Sequence, residues 1–380
     1  MANNPLKEIL AHGQSIWCDN IERRIIKNGT FRKMITEDGL RGVTSNPTIF
    51  EKAVTSSSDY DADLHKMGDK GLSPEDICWA IITKDIQDTC DVFLPVFKET
   101  KGADGYVSIE VSPLLAHDTE GTLKQARELW KQVNRPNLMV KIPATPEGLS
   151  AIQEAIADGI NINVTLIFAV QRHREVMNAY LAGLEKRAAA GKPVSGLASV
   201  ASFFVSRVDT ETDKRLEEKI RDAKEESEKA HLRSLLGKAA IANSKVAYEE
   251  FEKVFTSPRF EKLKAKGARV QRPLWASTST KNPNYRDVVY VEELIGQDTV
   301  NTLPPATIDA FRDHGKAAAR IAEGREEARK ALLDLSSCGI DLDEVTRLLE
   351  DAVVQSFSDS FHKLIDCIRA KEVKIGVKVK

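Results

Sequence analysis

The stretch NLMVKIPATPEGLSAIQEAIADGININVTLIF, residues 137–168, contains the pattern that decides the fold. It begins with a short apolar segment that stops at Pro143. Apolar residues then recur at helical spacing from Pro146 to Asp158, and a second apolar segment covers Ile160 to Phe168. This alternation of short apolar segments with longer helical ones is typical of repeated βα units and a parallel sheet.

The same alternation continues along the rest of the chain. Helical spacing also marks Thr122 to Val133 and Val170 to Ala190. The pattern predicts eight strands, at Ser15 to Cys18, Leu40 to Thr44, Val107 to Val111, Leu138 to Ile142, Ile160 to Phe168, Leu197 to Phe204, Val270 to Ala276 and Thr299 to Leu303. Eight such units predict an α/β fold, a closed (β/α)8 barrel of the TIM type with extra helices.

Two regions are predicted to be additions to a single barrel domain that spans residues 1–380. One is a charged helical insertion at about 209–256, in which Asp209 to Ala230 predicts a solvated helix with charge pairs four residues apart. The other is a helical C-terminal extension at about 309–380. Its predicted helices are Lys316 to Leu335 and Asp343 to Ala370.

Composition is that of an ordinary globular protein, with 380 residues, 42% hydrophobic and 29% charged. A net charge of -2 predicts no nucleic-acid partner. No apolar run has the length of a membrane span, and the N-terminus lacks the apolar region of a signal peptide. Five cysteines without a metal-ligand or disulfide spacing favour a reducing compartment, so a cytoplasmic location is expected.

Lys141 lies within an apolar run, two residues before the proline that ends it. An ammonium group flanked by apolar side chains is partly desolvated, which favours the neutral amine. A neutral amine attacks carbonyl groups and forms Schiff bases, so Lys141 is a candidate nucleophile. The alternative is a lysine at a strand end whose ammonium group reaches water.

Polar residues recur where the predicted strands end, and catalytic groups of such barrels come from these ends. Asp19 follows the first strand and is a candidate for proton transfer or, alternatively, the N-cap of a helix near Ile21. Thr44 and Asn46 follow the second strand and alternate, so they share a face. Their alternative role is a capping turn.

Three more polar residues occur in predicted strands. Glu110 lies between apolar neighbours in the third strand, where burial raises the pKa of a carboxyl group and suits it to hold a water as acid or base. Alternatively, the Glu110 side chain points outward as residues alternate along the strand, although a parallel barrel strand is buried on both faces. Asn163 and Thr165 share one face of the fifth strand.

A phosphate site is predicted after the sixth and seventh strands. Arg207 follows the sixth, and its guanidinium group with five donors suits a phosphate. Ser277 to Lys281 after the seventh form a hydroxyl-rich loop with one cation, like the phosphate pocket that barrels build after their late strands. Ordinary turn chemistry is the alternative for this loop.

Two of these segments resemble the signatures of the transaldolase family. Gly42 to Phe50, GVTSNPTIF, is similar to the first signature, and Val140 to Thr145 followed by Asn163 to Phe168 is similar to the second. The resemblance covers roughly Ile16 to Lys281, and the chain length is similar to that of the longer bacterial subclass. It implies a barrel of the class I aldolase kind.

The resemblance implies roles for the polar residues. Lys141 would form the Schiff base, Asp19 would move the proton of the substrate C4 hydroxyl, and Glu110 with Thr165 would hold the water that relays protons. Side chains that would bind the hydroxyls or the carbinolamine are Thr44, Asn46 and Asn163. Those that would orient the carbon chain and the phosphate of the substrate are Ser202, Arg207 and Ser277.

One position departs from the family pattern. Shorter members have an arginine two residues after the serine that Ser277 matches, where this chain has Ser279. Lys281 is the candidate replacement, as a point charge rather than a bidentate fork.

The resemblance implies transfer of a dihydroxyacetone unit in the pentose phosphate pathway. Donors would be sedoheptulose 7-phosphate or fructose 6-phosphate, and acceptors glyceraldehyde 3-phosphate or erythrose 4-phosphate. The partners expected are these sugar phosphates, with no metal or organic cofactor required and the chain a monomer or homodimer.

Two other functions fit parts of the pattern. A Schiff-base aldolase would release the three-carbon unit to water, but aldolase-like relatives favour a tyrosine near the relay water, whereas this chain has Glu110 and Phe204. A non-catalytic barrel that binds sugar phosphates, or a helical scaffold, would need no combination of Lys141, Glu110 and Asp19.

Overall fold

A computed structural model describes residues 4–374 and contains a closed barrel of eight parallel strands in sequential order. The strands are β1 (Gln14–Cys18), β2 (Gly42–Val43), β3 (Tyr106–Glu110), β4 (Leu138–Pro143), β5 (Ile162–Ile167), β6 (Ser199–Phe204), β7 (Gln271–Ala276) and β8 (Thr299–Leu303). β1 pairs with β8 and closes the barrel. The predicted fold class is therefore confirmed.

The second strand differs most from its prediction. Only Gly42 and Val43 pair with the neighbouring strands, instead of Leu40 to Thr44. Gly42 lies against the indole of Trp17, where a Cβ atom would come within 2.6 Å of ring atoms. The close approach of the strand to this large buried ring therefore requires glycine.

Helices surround the barrel and fill its connections. Within the described residues they are α1 (Pro5–Ala11), α2 (Arg23–Lys27), α3 (Thr30–Asp38), α4 (Pro47–Ser56), α5 (Asp61–Gly68), α6 (Pro74–Glu99), α7 (Thr119–Val133), α8 (Pro146–Asp158), α9 (Val170–Ala189), α10 (Ser206–Asp222), α11 (Glu226–Ser234), α12 (Ala239–Phe255), α13 (Pro258–Lys264), α14 (Val289–Glu293), α15 (Pro305–His314), α16 (Arg325–Ser337) and α17 (Leu342–Lys374). The helix after β4 starts with Thr145 capping the amide of Gly148, then Pro146. This cap and proline stop the strand and start the helix.

The single solvated helix predicted at Asp209 to Ala230 is wrong in two respects. The backbone is extended at Ala223, so the segment forms two helices, α10 and α11. One face of α10 is also buried, because Val208 and Leu216 are apolar and align with buried polar residues between them. The expected charge pairing is present between Arg215 and Glu211 at 2.9 Å.

The C-terminal extension also differs from its prediction. The helix expected from Lys316 begins only at Arg325, since the amides of Arg320 and Ile321 instead donate to the carbonyl of Ile295 and hold this segment against the barrel. α17 contains the second predicted helix. The last residues of the predicted extension, 375–380, and residues 1–3 lie outside the described part of the chain.

α17 lies against the C-terminal end of the barrel and contacts α4, α5, α6 and α10. Its buried side chains recur every three or four residues, at Val345, Leu349, Val353, Phe357, Phe361, Leu364 and Ile368. This apolar stripe gives the helix a single orientation over the barrel.

Among residues 4–374, every helix is too short or too polar to cross a membrane.

Candidate active site

A cavity of about 300 Å³ opens at the C-terminal ends of the barrel strands. Nine of the eleven predicted site residues line it: Asp19, Thr44, Asn46, Lys141, Thr165, Ser202, Arg207, Ser277 and Lys281. The other two, Glu110 and Asn163, are buried beside residues of the cavity wall. The tertiary structure thus brings all the predicted site residues to one end of the barrel.

A larger cavity, of about 880 Å³, opens at the opposite end of the strands, near Gln14 and Arg272. None of the predicted site residues lines it. Because barrels of this kind carry their catalytic groups at the C-terminal ends of the strands, the smaller cavity is the candidate active site.

Lys141 is buried and forms an ion pair. Only 4% of the residue is exposed, and its Nζ lies 3.1 Å from Oε2 of Glu110. Nζ also donates to the carbonyl oxygen of Ser45 at 3.1 Å. The alternative of a lysine that reaches water is therefore wrong. The pairing of β3 with β4 sets Glu110 directly opposite Lys141, so the ion pair follows from strand register.

Two carboxyl groups, the buried Glu110 and the partly buried Asp19, interact with the charge of Lys141. Burial raises the pKa of Glu110, and the charge of Lys141 partly offsets this effect. Burial likewise raises the pKa of Asp19, again against the charge of Lys141 and a hydrogen bond from Thr44. Carboxyl groups with raised pKa values are better proton acceptors, so the ammonium group of Lys141 has acceptors for its proton close by.

Asp19 is held by hydroxyl groups at the barrel end. Thr44 Oγ1 donates to Asp19 Oδ1 at 2.7 Å and lies 2.6 Å from Oγ1 of Thr302. The next helix, α2, begins at Arg23 with Glu22 at its N-cap position. The alternative of Asp19 as a helix cap is therefore wrong, and its carboxylate faces the cavity instead.

The end of β5 is irregular at Thr165. The pairing of β5 with β6 shifts between Val164 and Ile167, and Leu166 has a left-handed φ of 62°. Such a bulge redirects side chains and is strained for a residue with a Cβ. Thr165 Oγ1 lines the cavity, is buried and has no hydrogen-bond partner among the described residues.

Asn163 joins two serines inside the barrel. Its Nδ2 donates to Ser108 Oγ at 3.0 Å, and its Oδ1 accepts from Ser202 Oγ at 2.7 Å. The bond to Ser108 joins β5 to β3, which are not neighbouring strands, so the side chains of Asn163 and Ser108 both point inward. Asn46 has a local partner as well, because its Oδ1 caps the amide of Ile49 at 3.0 Å.

Three cationic side chains line the same cavity as Lys141: Arg207, Lys281 and Lys52. Burial lowers the pKa of Arg207. Burial also lowers the pKa of Lys281, and the charges of Arg207 and Lys52 lower it further. Among the described residues no carboxylate forms an ion pair with any of the three, so the cluster suits an anion such as a phosphate.

The segments that carry these cations are bonded to each other. Ser206, at the start of α10, donates its amide to the carbonyl of Ser277 at 3.0 Å, and their hydroxyl oxygens are also 3.0 Å apart. Ser277 has a left-handed φ of 55°, which turns the chain out of β7. Lys281 Nζ donates to Ser279 Oγ at 2.8 Å.

Sequence reasoning missed several residues of the cavity wall, among them Lys52, Thr302 and Phe357. Thr302 had a usable signal, because it is a polar residue near the end of the eighth strand. Lys52 lies within α4, and Phe357 within α17, with its ring centroid 5.9 Å from Lys141 Nζ. Neither stands at a strand end, so no local pattern distinguished them.

The comparisons with known proteins agree with this geometry. The family model described as transaldolase/fructose-6-phosphate aldolase matches residues 16–368. The chain belongs to this family. A protein of Trichodesmium erythraeum named transaldolase is 47% identical over 99% of both chains. Proteins of the same name from Parafrankia and Mycolicibacterium smegmatis are 48% and 47% identical, over 97% and 98% of this chain and 98% of theirs.

The transaldolase resemblance noted in the sequence is thus confirmed over nearly the whole chain. Each of these three relatives is named transaldolase, while the family description also includes fructose-6-phosphate aldolase. Both reactions act on sugar phosphates, which fits a cavity that joins a buried lysine to a cluster of cations.

Proposed function

We propose that this enzyme is a transaldolase in which Lys141 carries a dihydroxyacetone unit as a Schiff base. The unit comes from sedoheptulose 7-phosphate or fructose 6-phosphate and passes to glyceraldehyde 3-phosphate or erythrose 4-phosphate in the pentose phosphate pathway. The observation that carries the proposal is a buried lysine amine, 3.1 Å from a carboxylate, in a cavity that also contains Asp19 and three cations.

Imine formation uses Lys141, Glu110 and Thr165. The amine loses a proton to a carboxylate and attacks the C2 ketone of the donor, and loss of water gives a protonated imine. Glu110 and Thr165 hold the water that relays these protons. The supporting observations are that Thr165 Oγ1 is buried without a hydrogen-bond partner in the described residues, and that Glu110 Oε2 lies 3.1 Å from Lys141 Nζ.

Carbon–carbon cleavage uses Asp19 as the base. Its carboxylate takes the C4 hydroxyl proton, the C3–C4 bond breaks, and its electrons pass into the imine to give an enamine while the aldose phosphate leaves. The Thr44 hydroxyl orients Asp19 at 2.7 Å. The acceptor aldehyde then adds to the enamine by the reverse steps, so the kinetics are ping-pong.

Two groups of residues bind different parts of the substrate. Thr44, Asn46, Asn163 and Ser202 bind hydroxyl groups of the sugar or the carbinolamine. Lys52 joins the three predicted residues that bind the phosphate, Arg207, Ser277 and Lys281. The three cations support this proposal, because each lines the cavity, and Lys281 with Lys52 would replace the arginine that shorter relatives have at the position of Ser279.

Transfer is favoured over simple aldol release. Phe204 lines the cavity beside Lys141 and has no hydroxyl group to hold a hydrolytic water. Release of free dihydroxyacetone from fructose 6-phosphate as fast as transfer to erythrose 4-phosphate would contradict the proposal.

Borohydride trapping tests the Schiff base. Fructose 6-phosphate plus borohydride is expected to modify Lys141 and inactivate the enzyme, and Lys141→Met, which keeps a similar apolar volume, is expected to give no adduct. Lys245 is the matched internal control, since it is also buried and lies 3.3 Å from Glu293 but outside the cavity. An unmodified Lys141 in the folded protein would contradict the proposal.

A cytoplasmic location is part of the same proposal. All five cysteines are free thiols, and Cys18, Cys78 and Cys90 are buried. Free thiols persist where the compartment is reducing.

A further inference from the structure

Phe357 brings an aromatic ring from the far end of the sequence to the catalytic lysine. It lines the cavity with Lys141 and Asp19, and its ring centroid lies 5.9 Å from Lys141 Nζ. Only 6% of Phe357 is exposed. The cavity wall next to the amine is therefore apolar on the side of α17.

The position of this ring is held from both sides of α17. Ser360 Oγ lies 2.8 Å from Thr48 Oγ1 on α4, which also carries Lys52. One turn beyond Phe357, the ring of Phe361 packs 5.8 Å from that of Trp79 on α6. These contacts fix Phe357 over the lysine rather than leaving it free to turn into solvent.

The bound three-carbon unit has two competing fates, given the proposed function. Addition of an aldose aldehyde to the enamine forms a new C–C bond. Alternatively, a proton adds to the enamine carbon, water adds across the resulting C=N bond, and the C–N bond breaks to give free dihydroxyacetone and the amine of Lys141. Hydrolysis of an imine also ends the transfer route, so the two routes differ in what adds to the enamine carbon. The walls that keep bulk water and its protons from this carbon therefore decide between transfer and release.

We propose that Phe357 is a specificity-determining residue, which keeps bulk water from protonating the enamine carbon on Lys141 and so directs the three-carbon unit to an aldose phosphate. Lys52, Arg207 and Lys281 provide phosphate contacts for the acceptor that water lacks. The ring also faces the positive charge that both the ammonium and the protonated imine carry, which stabilises the covalent intermediate.

The test measures two rates with fructose 6-phosphate as donor: release of dihydroxyacetone without acceptor, and transfer to erythrose 4-phosphate. Phe357→Ala is expected to raise the ratio of release to transfer roughly tenfold, because bulk water then reaches the enamine carbon while the phosphate contacts of the acceptor are unchanged. Phe357→Leu keeps an apolar wall and is expected to stay within about threefold of the wild-type ratio. Leu349→Ala is the matched control, since Leu349 is buried on the same helix but does not line the cavity.

Borohydride trapping on each protein separates the possible outcomes. An adduct on Lys141 with an unchanged ratio in Phe357→Ala would overturn the role of Phe357 and leave the proposed function intact. An equal rise in Leu349→Ala would also overturn it, because the effect would then come from loosened helix packing. Absence of the adduct in the wild-type enzyme would instead contradict the proposed function. If Phe357→Ala does not fold, Phe357→Gln, which places a polar side chain at the same wall, replaces it, and a rise of roughly tenfold in its ratio supports the role while an unchanged ratio opposes it.

Discussion

One lysine and two carboxyl groups share the buried end of the barrel, and their arrangement decides the chemistry. Lys141 and Glu110 are opposite each other on adjacent strands, while Asp19 approaches from β1. A single buried ammonium group would be costly, but the facing carboxylates stabilise the charge until it is needed. In the proposed mechanism the same carboxylates accept protons, so one set of contacts would serve both folding and catalysis.

Asp19→Asn is expected to separate imine formation from bond cleavage. The amide cannot take the C4 hydroxyl proton, so kcat should fall by roughly 10²- to 10⁴-fold. Borohydride trapping followed by mass analysis should then find mainly the six-carbon phosphate adduct on Lys141. Asp313→Asn, at a side chain that is 83% exposed, serves as the control and should keep wild-type activity. A three-carbon adduct in Asp19→Asn would contradict the role of Asp19.

The pH dependence of catalysis should reflect the raised carboxyl pKa values. Asp19 and Glu110 act as bases only when ionised, and burial raises the pKa of both. Activity is therefore expected to fall, as pH decreases, at a pH above the usual carboxyl range of ~4. The measurement is kcat/KM against pH with fructose, a donor without an ionising phosphate. An acidic limb centred near pH 4 would contradict this expectation.

The element proposed to bind the phosphate is the junction of α10 with the loop after β7. Ser206 and Ser277 bond the two segments to each other, while Tyr285 OH donates to Asp213 and Tyr290 OH donates to Asp209, at 2.6 and 2.8 Å. These bonds hold Arg207 and Lys281 on one wall of the cavity. The positively charged wall thus depends on contacts between segments far apart in sequence.

Removal of single cations is expected to weaken binding of phosphorylated donors. Lys52→Ala and Lys281→Ala should each raise KM for fructose 6-phosphate about 10-fold or more, because each loses a charge-assisted contact. The same variants should leave the kinetics with fructose nearly unchanged. Lys33→Ala, at a side chain that is 72% exposed, is the control. Equal effects on both donors would show that these lysines do not contact the phosphate.

Asp209 is expected to make stability depend on pH. Burial raises its pKa from 3.8 to about 6 in the folded protein, so the folded state binds its proton more tightly than the unfolded chain does. The stability that this provides is present below pH ~4 and is lost as pH rises through about 6, amounting to about 3 kcal/mol. The free energy of unfolding, measured with urea at several pH values, should decrease more with rising pH in the wild type than in Asp209→Asn. Parallel curves would contradict the expectation.

At the level of the whole molecule, the C-terminal helix α17 packs against the end of the barrel that contains the candidate active site. It packs on four helices and carries Phe357 into the cavity wall. Ion pairs add to this contact, including Lys371 with Asp61 at 2.8 Å and Arg215 with Glu344 at 3.2 Å. The division into one barrel domain with an insertion at about 209–256 and an extension at about 309–380 stays a prediction, as does the monomer or homodimer.

The apolar stripe of α17 is expected to contribute to global stability. Leu364 is 1% exposed, so Leu364→Ala should cost about 2–5 kcal/mol of the free energy of unfolding through lost burial and a cavity. Leu348→Ala on the same helix, at a residue 45% exposed, should change it by less than about 0.5 kcal/mol. Urea unfolding of both variants checks the difference. Equal costs would mean that α17 does not pack as described.

Sequence determined the elements of this protein and most of its strand-end polar residues. Strand and helix periodicity, capping residues and prolines act over a few neighbours, so the barrel, Lys141, Glu110 and Asp19 were recognisable without coordinates. Periodicity did not reveal the buried face of α10, because three apolar side chains among many charges give a weak pattern.

Only the tertiary structure decided which distant residues complete the site. Lys52 and Phe357 come from helices, and each reaches the cavity through the packing of α4 and α17 on the barrel. The partner of Lys141 depended on the register of β3 with β4, which is a contact between segments and not a property of either one. Local patterns arise from interactions along the chain, whereas a binding site is formed by contacts across it, and these exist only once the barrel is closed.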